Sequence, residues 1–82
     1  MKNKVTVTWS SSSEKMSNPT FVAERLAKLE SMLVDKTLID NPKDQDYATI
    51  VFNNESQAYE WAVFIAELAV KYNKQIVNIT IE

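Results

Sequence analysis

The 82-residue sequence contains no glycine, no cysteine and no histidine. At its average frequency of about 7%, glycine would occur about six times in a chain of this length. Its absence excludes motifs that need a positive φ or close approach of the backbone to phosphate, such as P-loops, Rossmann fingerprints, KH-type loops and EF-hand loops. Without cysteine there is no disulfide, no thiol nucleophile and no cysteine-zinc site, and without histidine the usual general base and the commonest metal ligand are missing. We therefore predict a protein that is not an enzyme and has no catalytic residue, cofactor or metal site.

The charge and length of the chain limit the classes of partner that it is expected to bind. The formal net charge is −2, and Arg25 is the one arginine among nine basic residues, whereas nucleic acids and anionic membranes recruit clustered basic side chains. No apolar run approaches the roughly 20 residues that span a bilayer, and the N-terminus enters a strand pattern instead of a signal peptide. A chain this short can fill a core but cannot also enclose a drug-sized cavity. We expect one cytoplasmic domain over residues 1–82 that acts through its surface, with no membrane partner and no small-molecule ligand.

Alternation of apolar and polar residues predicts three clear strands. They are Lys4–Trp9, Tyr47–Phe52 and the C-terminal segment, in which Val77, Ile79 and Ile81 are expected to face inward. Residues 36–40 are ambiguous and give either a short strand or a loop, because turn formers follow them. Each clear strand has one apolar and one polar face, so the sheet should carry helices on one side and leave the other side open.

Two amphipathic segments predict helices. Asn18 and Pro19 are typical of a helix start, and the inner stripe of this first helix is expected to comprise Val22, Leu26, Leu29 and Leu33. The second helix runs to about Tyr72. Asn54 and Gln57 have the spacing of a capping box at its start, and Asn73 can adopt the left-handed conformation at its end.

The resulting order, βαββαβ, predicts an α/β (α+β) two-layer sandwich. In this fold one four-stranded sheet carries both helices on one face, in a ferredoxin-like arrangement. If residues 36–40 form a loop, the alternative is a three-stranded βαβαβ fold.

The second helix has more apolar surface than this fold can cover. Besides its core-facing side it carries a second apolar arc, and an aromatic residue lies beside Glu60 in its polar arc. Another segment of the chain covers this surface, or its exposed residues are the single apolar side chains that are normal on protein surfaces, or it binds a protein. We hypothesise an interface formed by Tyr59, Val63, Phe64 and Val70. Its occupant is a second copy, most simply in a dimer, or a partner protein, as in small phage or mobile-element proteins that bind a host protein.

The segment Tyr47–Phe52 and the helix after it resemble the third strand and second helix of an RNA-recognition motif. The resemblance covers residues 47–62, and its inward positions match at Ala48, Ile50 and Phe52. It implies an alternative function, binding of single-stranded nucleic acid on the open sheet face by Lys4, Thr6, Tyr47 and Thr49. Two of these four residues are threonines where the family stacks bases on aromatic rings, and Gln45 and Asp46 replace a basic residue and a glycine. We therefore favour a protein partner over a nucleic acid.

The acidic and serine-rich segments are weaker indications of a metal site and of a nucleophile, respectively. Asp40, Asp44 and Asp46 crowd a predicted hairpin, but Thr49 occupies the position that an EF-hand reserves for glycine. Ser10–Ser13 have no histidine base, and Lys15 would have to be desolvated to activate a hydroxyl. Turn chemistry and a linker explain both segments.

Overall fold

The computed structural model describes residues 2–10, 18–32, 39–40 and 47–82. The elements in these residues are β1 (Lys4–Trp9), α1 (Pro19–Ser31), β2 (Ile39–Asp40), β3 (Tyr47–Val51), α2 (Glu55–Lys71) and β4 (Ile76–Ile81). The three clear strands and both helices are therefore confirmed. Ser11–Ser13, Leu33, Asp44 and Asp46 lie outside the described residues.

The sheet is antiparallel and has β1 at its centre. Val5 lies opposite Ile50 of β3 on one side and Ile81 of β4 on the other. These three strands of five or six residues fit the three-stranded alternative. The two residues of β2 pair with β3 and extend the order to β2-β3-β1-β4, and residues 36–38 of the predicted segment 36–40 lie outside the described residues. The chain therefore has a small α+β fold in which two helices pack on an antiparallel sheet.

One core joins the two helices to the same face of the sheet. The cluster contains Val5, Val7 and Trp9 from β1, Phe21 and Leu29 from α1, and Trp61 and Ile65 from α2. The ring of Trp9 meets Phe21 edge-on, with 5.6 Å between the centroids, a favourable geometry for two aromatic rings. The described residues leave the opposite face of the sheet open.

The helices lie antiparallel to each other, as their cross-contacts show. From the start of α1 to its end, these contacts are Lys71 Nζ to Glu24 Oε1 at 3.1 Å, Lys28 Nζ to Glu60 Oε2 at 2.8 Å, and Gln57 Nε2 to the carbonyl of Met32 at 3.1 Å. The start of α2 therefore lies beside the end of α1.

Asparagine side chains form the helix caps. The Asn18 side chain accepts hydrogen bonds from the backbone N–H of Thr20 and Phe21, and the Asn54 side chain accepts one from Gln57 at 2.8 Å. The Gln57 side chain returns to the N–H of Asn53 at 3.2 Å, one residue earlier than a regular capping box requires. The predicted helix starts are confirmed.

The inner face of α1 differs from the predicted stripe. Phe21, Arg25 and Leu29 are buried, whereas Leu26 is 44% exposed and Val22 only half-buried. The prediction for Leu26 is wrong because Phe21 packs between Trp9 and Tyr72. This contact turns the helix so that the position four residues later faces the core.

A bulge changes the inward face of β4. Val7 lies opposite Ile79, but the register shifts between Thr8 and Trp9, and Trp9 lies opposite Ile76. The extra residue of a bulge is left unpaired, and Val77 is 67% exposed. The prediction that Val77 faces inward is wrong, and Ile76 takes its place against the core.

Candidate functional site

Three sides of α2 have different surroundings. Ala58, Trp61, Ile65, Leu68 and Ala69 face the core, while Glu60 and Phe64 face α1. The third side is centred about 120° from each of these and consists of Tyr59, Ala62, Val63, Ala66 and Val70, which we call the α2 stripe. Tyr59, Val63 and Val70 are 50%, 59% and 79% exposed, and the two alanines between them are half-buried. No described segment covers this surface.

Phe64 does not belong with the other three predicted interface residues. Its ring lies 5.6 Å from that of Trp61, and the ammonium of Lys28 lies 5.5 Å from its centroid. The residue is half-buried and packs against the core. The structure therefore brings Tyr59, Val63 and Val70 together and places Phe64 under α1.

The α2 stripe lies beside a free sheet edge. Helix α2 packs over β1 and β4, and β4 ends the sheet on that side among the described residues. Because α1 occupies the other flank of α2, the stripe is on the flank nearer the β4 edge. Ile76, Ile79 and Ile81 are half-buried at this edge, so the apolar surface continues from helix to strand.

The β4 edge has little protection against pairing with another strand. Its six residues, Ile76–Ile81, include no charged residue and no proline. Edge strands of monomers commonly carry a lysine, a proline or a bulge that prevents further pairing. In β4 the bulge lies at Val77, so the segment from Asn78 to Ile81 remains regular.

The four residues of the nucleic-acid alternative share the open face of the sheet. Thr6 lies opposite Thr49, and their Oγ1 atoms are 3.0 Å apart, within hydrogen-bond distance. Lys4 lies opposite Val51 and therefore at the other end of β3 from Tyr47, about 13 Å away along the strand. One threonine hydroxyl donates to the other, and the cation is remote from the aromatic ring.

Glu24, Lys71 and Tyr72 form a polar cluster across the ends of the helices. The Glu24 carboxylate accepts hydrogen bonds from the Tyr72 hydroxyl and the Lys71 ammonium. The bond from Tyr72, followed by that from Lys71, lowers the pKa of Glu24, and the same carboxylate raises the pKa of both donors. The contacts join helices across the surface, so the cluster acts as a clamp between α1 and α2.

Arg25 is a buried charged residue of α1 that lies outside the predicted inner stripe. It is 3% exposed, and burial lowers the pKa of its guanidinium. Its Nη2 atom and the Nε1 atom of Trp9 have no hydrogen-bond partner among the described residues. The only sequence signal was its position, four residues from both Phe21 and Leu29, which is the spacing of one helix face.

Comparison of the chain with protein-family models, curated proteins and solved structures gave no match. The described helices include none with the length and apolar character needed to cross a membrane. In the same part of the chain, no three acidic side chains come together as a metal-binding group. Among the described residues, the α2 stripe and the β4 edge form the candidate functional surface.

Proposed function

We propose that this chain is a non-enzymatic protein-interaction module that self-associates through the α2 stripe. The observation that carries the proposal is the exposure of Tyr59, Val63 and Val70 on one side of one helix. Single exposed apolar residues are ordinary on protein surfaces. Here the exposed side chains follow helical spacing with two half-buried alanines between them, which makes a contiguous patch of the kind used for protein contacts.

The proposed fold is the ferredoxin-like βαββαβ sandwich. Its support is the pairing of β2 with β3 and the order β2-β3-β1-β4, in which all described neighbours are antiparallel. A cytoplasmic location and a phage or mobile-element source belong to the same proposal. The support for that source is compositional. The chain has eight lysines, seven asparagines and six isoleucines, a usage that suggests the A+T-rich coding genome of a bacterium or one of its phages.

The stripe is tested by placing a charge within it. Val63→Glu puts a carboxylate at the centre of the exposed patch, and the matched control Ala27→Glu adds the same charge at an exposed position of α1. Light scattering over a concentration series should show that Val63→Glu abolishes association, while Ala27→Glu associates as the wild type does. Equal association of the two variants would contradict the proposal.

If the α2 stripe binds a host protein and not a second copy, we expect a different result. The wild type would remain monomeric, and Val63→Glu would prevent binding of the host protein.

The nucleic-acid alternative has less support, because Thr6 and Thr49 are within hydrogen-bond distance of each other. It predicts an anisotropy change with RNA or DNA oligomers at low salt, where phosphate contacts are strongest, and loss of that change in Tyr47→Ala.

A further inference from the structure

We propose that two copies of this chain pair through β4, antiparallel, around a two-fold axis at Thr80. One continuous sheet then runs through the dimer. This inference rests on the proposed self-association. It specifies that the partner is a second copy of the chain, that the two copies meet at β4, and which residues lie opposite each other.

The backbone of β4 specifies which residues can pair outward. Lys4 and Glu82 exchange both backbone hydrogen bonds, with N···O distances of 3.0 and 2.8 Å. Antiparallel strands alternate between hydrogen-bonded and non-hydrogen-bonded pairs, so Thr80 also directs its N–H and C=O toward β1. Ile79 and Ile81 then direct theirs away from the sheet. With the axis at Thr80, Ile79 of one copy forms a hydrogen-bonded pair with Ile81 of the other, and this occurs twice.

The side chains are complementary in the same register. Ile79 and Ile81 lie opposite Val7 and Val5, and so face the core side of the sheet. Pairing places each beside an isoleucine of the second copy and covers surface that is half-buried in one chain. On the open face Thr80 meets Thr80, and Asn78 meets Glu82 of the second copy. No two like charges lie opposite each other, which is the arrangement that favours a cross-strand pair.

The two α2 helices reach packing distance in this arrangement. Because α2 lies over β1 and β4 and strands are spaced about 4.8 Å apart, its axis is about 5 Å from the two-fold axis. The two helices are then about 10 Å apart, close to the distance of about 8–10 Å between packed helices. The small Ala62 and Ala66 suit this approach, and Tyr59 and Val63 flank them. The same rotation therefore pairs the strand edges and brings Tyr59, Ala62, Val63 and Ala66 of the two copies together.

A dimer of this kind is closed. In this isologous contact each copy uses its β4 edge once, so a third copy cannot join the same edge. The occupant is a second copy because the outward backbone groups of Ile79 and Ile81 are complementary to those of an identical strand around Thr80.

The absence of cysteine permits a clean cross-linking test in the full chain. In a non-hydrogen-bonded antiparallel pair the Cα atoms are about 4.5 Å apart, within the range of a disulfide. Thr80→Cys should therefore form a covalent dimer under mild oxidation. The control Thr8→Cys, on the same face but one strand further from the axis, should react at least about tenfold more slowly, because its thiols meet only by collision. Circular dichroism should show the same fold for both variants.

The outcomes separate this inference from the proposed function. Preferential cross-linking at Thr80 supports the β4 register. Equal rates at Thr80 and Thr8, in a wild type that dimerises and is dissociated by Val63→Glu, would reject the register and leave self-association through the stripe. A wild type that remains monomeric at every concentration would reject both.

Discussion

The Nζ atom of Lys28 in α1 lies 2.8 Å from Oε2 of Glu60 in α2. Both side chains retain access to solvent, at 28% and 53%, and such an ion pair contributes only about 0–1 kcal/mol. Phe64, one turn after Glu60, lies beneath the same ammonium and packs on Trp61. The packing beneath the ion pair therefore fixes which side of α2 faces α1, and it leaves the α2 stripe on the free flank.

The first prediction compares two neighbouring residues of α2. Phe64→Ala removes a ring packed against Trp61 and should lower the free energy of unfolding by about 1–3 kcal/mol. Val63→Ala removes an exposed side chain and should change it by less than about 0.5 kcal/mol in the monomer. Urea denaturation at a protein concentration too low for association measures both. Equal losses would show that α2 is rotated differently.

The second prediction concerns the buried charge of Arg25. Arg25→Met keeps a long side chain in place and removes a charge whose Nη2 has no described partner. Replacing buried charges by apolar groups of similar volume is often neutral or stabilising. We expect an unchanged or higher melting temperature for Arg25→Met and a lower one for Arg25→Ala, which also leaves a cavity. A large loss in Arg25→Met would show that an acceptor holds the guanidinium.

The third prediction addresses the missing glycine at the end of α2. Asn73 has φ of 56°, in the left-handed region, and no other non-glycine residue among those described has a positive φ. Asn73→Ala should lower the free energy of unfolding by about 1 kcal/mol, because a Cβ without a compensating polar group is disfavoured there. Asn73→Gly should be neutral or stabilising. In thermal denaturation the melting temperature should fall for Asn73→Ala and should stay the same or rise for Asn73→Gly. Equal destabilisation of the two variants would contradict this role of Asn73.

The fourth prediction is a pH dependence from the clamp between the helices. Hydrogen bonds from Tyr72 and Lys71 lower the pKa of Glu24 in the folded chain below its unfolded value. The stability this carboxylate contributes is therefore fully present above the unfolded pKa and is lost as the pH falls through the folded pKa. Glu24→Gln should flatten the acid limb of a plot of stability against pH. An acid limb that is the same in Glu24→Gln and in the wild type would contradict this role of the carboxylate.

Local chemistry made much of the fold predictable from the sequence. Asn18 with Pro19, Asn54 with Gln57, and Asn73 are cap signals that act within a few residues, and the structure has each helix end where they indicate. The alternation in β1 likewise gives the buried face of Val5, Val7 and Trp9. These features depend on contacts between neighbouring residues.

The remaining features depend on tertiary contacts. Leu26 is exposed and Arg25 buried because Phe21 packs between Trp9 and Tyr72, which helical periodicity alone does not specify. Val77 is displaced by a bulge whose position is set by pairing with β1. The exposed stripe of α2 was predictable as excess apolar surface, but the separation of Phe64 from it required the position of α1.

Self-association through the apolar flank that runs from α2 to β4 can be measured by sedimentation equilibrium of the wild-type chain over a wide concentration range. We expect a mass that rises with concentration from 9.4 kDa to a plateau at twice that value, without larger species. A mass of one chain at every concentration would contradict it.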